Sequence, residues 1–192
     1  MPPKAEFSRE QIVSAAFRIV EEKGMSALSA RSLAHALGTS TGPIFTAFDT
    51  IDEIQREVKS KAKELYGEYI KEGLKDTVAF KGAGMKYIQF AKDKPELFKL
   101  LFMSGDGVNA VTHFLPYGDD NHPIILEAIE KNYGLSGGEA KNLYNHMSVY
   151  AFGFAALFAQ RINVFNMEDI SRMMSEVFSS MIKNSRKENG NA

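Results

Sequence analysis

The densest run of chemistry-bearing side chains in this sequence is Thr39, Ser40 and Thr41, followed by Gly42 and then by Thr46. Hydroxyl groups both donate and accept hydrogen bonds, so they serve base edges as well as phosphate oxygens. A neighbouring apolar tip such as Ile44 or Phe45 can meet a thymine methyl. That chemistry is recognition rather than bond-breaking. Elsewhere no nucleophile is paired with a base at a readable spacing. Cysteine is absent, which removes thiolate nucleophiles, thiolate metal sites and disulfides, and fits a reducing cytoplasm. The four histidines, His35, His113, His122 and His146, form no pair with the helical spacing of a metal site. Gly82-Ala83-Gly84 lacks the third spaced glycine of a dinucleotide loop, and no G-x-S-x-G or Walker-type loop occurs. The sequence therefore predicts no enzyme, no metal site and no cofactor.

Helices must position the hydroxyl run. Ser29 stands where it can cap a short helix whose apolar side is Leu33, Ala34 and Leu37. Gly38 stops that helix, because glycine takes the left-handed conformation without a Cβ penalty. Ser40 or Thr41 is placed to cap the next helix, with Pro43 in its first turn and Ile44, Phe45 and Phe48 on its apolar side. Upstream, Phe7–Lys23 predicts a longer helix, with Ser8 and Gln11 as a capping box and Phe7 and Ile12 as its hydrophobic staple. Ile12, Val13, Ala16, Phe17 and Val20 share one face of it. Two short helices around a glycine turn, backed by a third, form a helix-turn-helix, whose second helix enters the DNA major groove.

Over residues 7 to 54 the chain resembles the TetR family of transcriptional regulators. The residues that carry the likeness are Gly38, Thr39, Ser40, Gly42, Ile44, Phe45 and Phe48. The resemblance implies an all-α protein in two parts: a DNA-binding unit over residues 1–48, and an effector-binding and dimerisation region over 49–192. It implies a homodimeric repressor that leaves a palindromic operator on double-stranded DNA when a small molecule binds. The residues expected at DNA are Lys4, Arg9, Ser29, Arg31, Thr39, Ser40, Thr41, Gly42, Ile44, Phe45 and Thr46. Two positions depart from the family pattern. Ala47 stands where a His often precedes the final Phe, and Ile51 where a Lys often meets a phosphate.

Charge is close to balanced. The chain carries a net −1, and residues 1–48 hold five basic side chains against four acidic ones. Phosphate neutralisation drives much of DNA affinity, so backbone N–H groups, hydroxyls and a doubled set of contacts in a dimer must carry more of it here. The near-neutral unit, with Ala47 and Ile51, leaves a second reading open: a helical dimeric ligand-binding or interaction protein without specific DNA binding.

The remaining 144 positions read as helices separated by breaks, with a weak turn over Val108–Tyr117 and a polar loop at Asp119, Asp120 and Asn121. Thr50 to about Gly73 predicts a long connecting helix, and Thr77–Lys92, Pro95–Met103 and Ile124–Asn132 predict three shorter ones. Ser136, boxed by Glu139, opens a helix to about Asn163, and Met167–Lys183 closes the fold before a polar tail. No apolar run is long enough to span a bilayer; Met147–Ala159 reads as a buried helix. The second region is rich in aromatic and Met side chains, and the resemblance makes them candidate walls of an apolar effector site: Tyr87, Phe90, Phe98, Phe102, Met103, His113, Phe114, Tyr144, Met147 and Tyr150. The last two helices carry more apolar surface than one small core needs. Paired across a two-fold axis they would form a four-helix bundle lined by Phe152, Ala155, Phe158, Ala159, Met173, Val177 and Met181.

Overall fold

A computed structural model describes residues 7–104 and 122–190. Lys4, His113 and Phe114 lie outside them. Every regular element among the described residues is helical.

The N-terminal unit follows its capping chemistry. α1 (Arg9–Lys23) begins at Ser8, whose Oγ accepts the Gln11 N–H at 3.2 Å while Gln11 Oε1 accepts the Ser8 N–H at 2.8 Å. A single 3₁₀ turn, Met25–Ala27, leads to α2 (Ala30–Leu37). There Ser29 and Ser32 cap reciprocally, Ser29 Oγ accepting the Ser32 N–H at 3.1 Å. Gly38, at φ 69°, closes α2. The Thr39 N–H reaches Ala34 O and the Gly38 N–H reaches His35 O, the paired bonds of a Schellman ending. α3 (Gly42–Ala47) starts after Thr41, which makes no side-chain cap, and has Pro43 in its first turn. Ile12, Ala16, Val20, Leu33, Ala34, Ile44 and Phe48 bury together against Ile54 and Val58 of α4 (Ile51–Gly73).

The second part is built on α4. α5 (Ala79–Asp93) returns antiparallel to it, and the two backbones touch where they turn. A Cβ on Gly73 would lie 2.5 Å from the Gly82 carbonyl oxygen, so only glycine fits this crossing. α6 (Pro95–Phe98) passes into a π-helical turn, Lys99–Met103. α7 (His122–Tyr133), α8 (Gly137–Ala159) and α9 (Met167–Gly190) complete the described chain.

Several boundaries differ from expectation. α5 begins at Ala79 rather than Thr77 and has no side-chain cap. α8 stops at Ala159, short of Asn163. The Ile162 N–H bonds Leu157 O and the Arg161 N–H bonds Phe158 O, another Schellman ending. Arg161 takes the left-handed position at φ 61°, and without a glycine there the sequence hides the stop. α9 runs to Gly190, past the expected end at Lys183.

Candidate functional site

α2 and α3 present one exposed polar face. Arg31, Ser40, Thr41, Gly42 and Thr46 are exposed, Thr39 is half-buried, and Phe45 keeps 43% of its surface although it is a large apolar residue. Thr46 Oγ1 donates to Gly42 O at 3.3 Å. Three expected DNA residues have other tasks. Ile44 is fully buried, because the apolar side of α3 must close over α1 and α2, and it is unavailable to a base. The Ser29 hydroxyl is engaged in capping α2. Arg9 is half-exposed but engaged by its own unit. One guanidinium nitrogen donates to Ala47 O at 2.6 Å, the other pairs with Glu53 at 2.6 Å, and the group lies 3.9 Å from the Phe48 ring centroid. The bond from Arg9 is the first cause that holds the Glu53 carboxyl below its ordinary pKa.

Behind this unit, α4, α5, α7, α8 and α9 enclose a cavity of about 260 Å³. Tyr66 and Ile70 of α4 line it, with Val78, Phe80, Lys81, Ala83, Gly84, Met85 and Tyr87 of the turn and α5. Ile125, Tyr133, Tyr144, Met147, Ser148, Ala151, Met174, Ser175, Phe178 and Ser179 come from the other three helices. Of the expected effector residues, Tyr87, Tyr144 and Met147 are among the lining. Phe90 and Phe98 are not; both are fully buried in the core between α4, α5 and α6. Phe102 packs on Tyr66, Tyr87 and Phe98 from outside the cavity. Met103 is largely exposed on the π-helical turn, and Tyr150 turns away to Phe154. Aromatic density after residue 80 does not reach the α4 and α9 walls; helical spacing 66–70 and 174–175–178–179 carries them. Burial raises the Tyr133 phenol above its ordinary pKa, so it faces the cavity as a neutral hydroxyl.

The outer faces of α8 and α9 are also apolar. Val149, Phe152, Gly153, Ala156 and Leu157 share one exposed or half-exposed stripe on α8, and Met173, Val177 and Met181 share one on α9. Ala155, Phe158 and Ala159 do not join the expected seam. They point into the protomer and are buried there, since α8 packs on α5 and α6 along that side.

The sequence model of the family described as "Bacterial regulatory proteins, tetR family" matches residues 12–58. Residues 12–58 therefore carry the DNA-binding region of the TetR family, which marks a DNA-binding transcriptional regulator rather than an enzyme. The match covers α1 to α3 and enters α4, the helix that continues to Tyr66 and Ile70 at the cavity. Among solved structures, a TetR variant from Acinetobacter baumannii AYE in complex with minocycline superposes with a TM-score of 0.57. The superposition covers 95% of this chain and 98% of that one at 13% identity, and so shows that this regulator shares the fold along its length. No curated protein matches the chain. Among the described residues, no helix is long and apolar enough to cross a membrane.

Proposed function

We propose that this regulator is a homodimeric repressor that leaves a palindromic operator when a small, largely apolar molecule fills the cavity between α4, α5, α7, α8 and α9. Residues 1–48 form the DNA-reading unit, and 49–192 bind the effector and dimerise, in the cytoplasm and without a cofactor. Arg31, Thr39, Ser40, Thr41, Gly42, Phe45 and Thr46 meet the DNA. The dimer seam is the outer stripe of α8 and α9, centred on Val149, Gly153, Met173, Val177 and Met181. The observation that carries the reading is the reach of α4: it starts three residues after Phe48 and ends as a wall of the cavity. A molecule that displaces Tyr66 or Ile70 must move the helix on which the DNA-reading unit is seated.

Coupling of this kind is an energy difference between two dimer states, typically about 1–3 kcal/mol, and it is reciprocal. Selection from random duplex DNA at low salt should yield a site with a dyad, its half-sites roughly one helical turn or somewhat more apart. A recovered site without a dyad would exclude the two-fold reading. The affinity of an aromatic probe for the cavity should then fall by the coupling factor when the operator is bound. Equal affinities with and without operator would leave a cavity that does not control DNA binding.

A further inference from the structure

We propose that the effector is an amphipathic monoanion, an apolar body carrying one carboxylate or similar group, with the Lys81 ammonium as its counter-ion. The proposal rests on the reading that this cavity holds the effector, and it adds the charge. Lys81 is the one charged side chain in the described lining. Among the described residues it makes no ion pair and no hydrogen bond, while nearby Lys86 is committed to Glu72 at 2.6 Å. Asp76, the carboxylate closest to it in sequence, does not pair with it.

The helix registers give the cavity two unlike ends. Gly73 crosses Gly82, and the Tyr66 ring meets Tyr87 at 6.2 Å, so α4 and α5 run antiparallel. Phe80 meets Phe178 at 6.0 Å, and Met174 approaches Gly84, so α9 also runs antiparallel to α5. Lys81 therefore shares one end with Ser179 and Tyr133, whose ring lies 4.8 Å from Phe178. Tyr66, Tyr87 and Ala151 form the other end. Six residues of α5 separate the two levels, about 9 Å along the helix axis, enough for a body of two fused rings.

The one cation of the described lining lies at one end and the rings of Tyr66 and Tyr87 at the other, which match a head and a tail. Aromatic walls also attract cations, but the described lining holds no carboxylate to neutralise one, and Lys81 repels it. A dianion would bring a second negative charge for which the described lining holds no partner.

Two probes with the same body isolate the charge: anilinonaphthalene sulfonate and neutral N-phenylnaphthylamine, titrated by fluorescence into the full-length protein. Lys81 is exposed, so its replacement leaves the fold intact. Lys81→Met should weaken the sulfonate about tenfold, which corresponds to about 1.4 kcal/mol. The neutral probe should change by less than about twofold, and Lys81→Arg should restore the sulfonate. If Lys81→Met leaves the sulfonate unchanged while the neutral probe still binds, the charge assignment is overturned and the cavity reading stands. If the cationic dye ethidium binds more tightly than the sulfonate, the assignment is likewise overturned. If neither naphthyl probe binds the wild type, the proposal and the cavity reading fall together.

Discussion

The Arg9 guanidinium has three engagements at once: the Ala47 carbonyl at the end of α3, the Glu53 carboxylate at the start of α4, and the face of Phe48. Its sequence position suggested a phosphate ligand, and charge alone could not show that α3 ends beside it. The geometry makes it a positioning residue, fixing the tilt of α3 against α1 and α4. Arg9→Met should lower the melting temperature by a few degrees, since it removes the bond to the Ala47 carbonyl as well as the solvent-screened pair with Glu53. Operator affinity should fall while the slope of log affinity against log salt stays constant. A phosphate ligand would instead lower that slope by about 0.9. A slope change of that size would return Arg9 to the DNA-contact set. Glu53 supplies a second check. Its folded pKa is below its unfolded value, so its contribution is full above the unfolded pKa and fades as pH falls through the folded one. An NMR titration of the Glu53 carboxyl should show the depressed midpoint in wild type and a less depressed one in Arg9→Met, where the Asp49 N–H still donates to that carboxylate.

At the scale of the element, α4 and α6 are the two supports of the DNA-reading unit. α6 enters from the other side of α1: Lys94 pairs with Glu21 at 2.6 Å, and the Glu96 carboxylate stands against Gly24. Tyr87 lines the cavity and its ring meets Phe98 of α6 at 5.3 Å, so the cavity touches both supports. The Gly73–Gly82 crossing sets the distance between α4 and α5 at the foot of the cavity. Gly73→Ala would push the helices apart, an overpacking change of about 1–3 kcal/mol. Chemical denaturation should register it, and probe affinity for the cavity should change with it. Unchanged stability and affinity would mean that the crossing is not a constraint. Local signals made α1, α2 and α3 legible: Ser8 with Gln11, Ser29 before an apolar side, and Gly38 at a left-handed turn all act within a few residues. The end of α8 was not legible, because Arg161 occupies a position that glycine usually marks. The cavity was legible only in part. Aromatic density named Tyr87, Tyr144 and Met147, but the choice between core and cavity for Phe90, Phe98, Tyr66 and Phe80 depends on helix–helix register, which no local pattern encodes.

Across the whole molecule, α8 and α9 have work on both sides. On α9, Met174 and Phe178 face the cavity while Met173 and Val177 face outward. On α8, Met147, Ser148 and Ala151 face inward while Val149 and Gly153 face outward. The outer stripe leaves apolar surface in water, with Val149 at 50% exposure and Ile162 and Val164 beyond it in the turn to α9. Gly153 is the sharpest feature of the stripe. A glycine inside a helix costs about 1 kcal/mol relative to alanine, yet a Cβ there would meet nothing within 4 Å in the protomer. A partner helix crossing closely at this point would give the absent side chain a reason. Wild-type protein should therefore sediment as a dimer at micromolar concentration. Gly153→Leu should fit the protomer but obstruct the crossing, and Val177→Glu should bury a charge in each copy at the seam. Both variants should sediment as monomers with unchanged helicity by circular dichroism, and both should lose the operator, since one half-site alone cannot supply the paired contacts. The cavity probe should still bind them, because their inward faces are untouched. If both variants remain dimeric with the wild-type dissociation constant, the seam lies on another surface and the outer stripe has a different partner. If they lose the probe as well as the dimer, the inner and outer faces of α8 and α9 are a single cooperative unit, and effector binding is itself a property of the dimer.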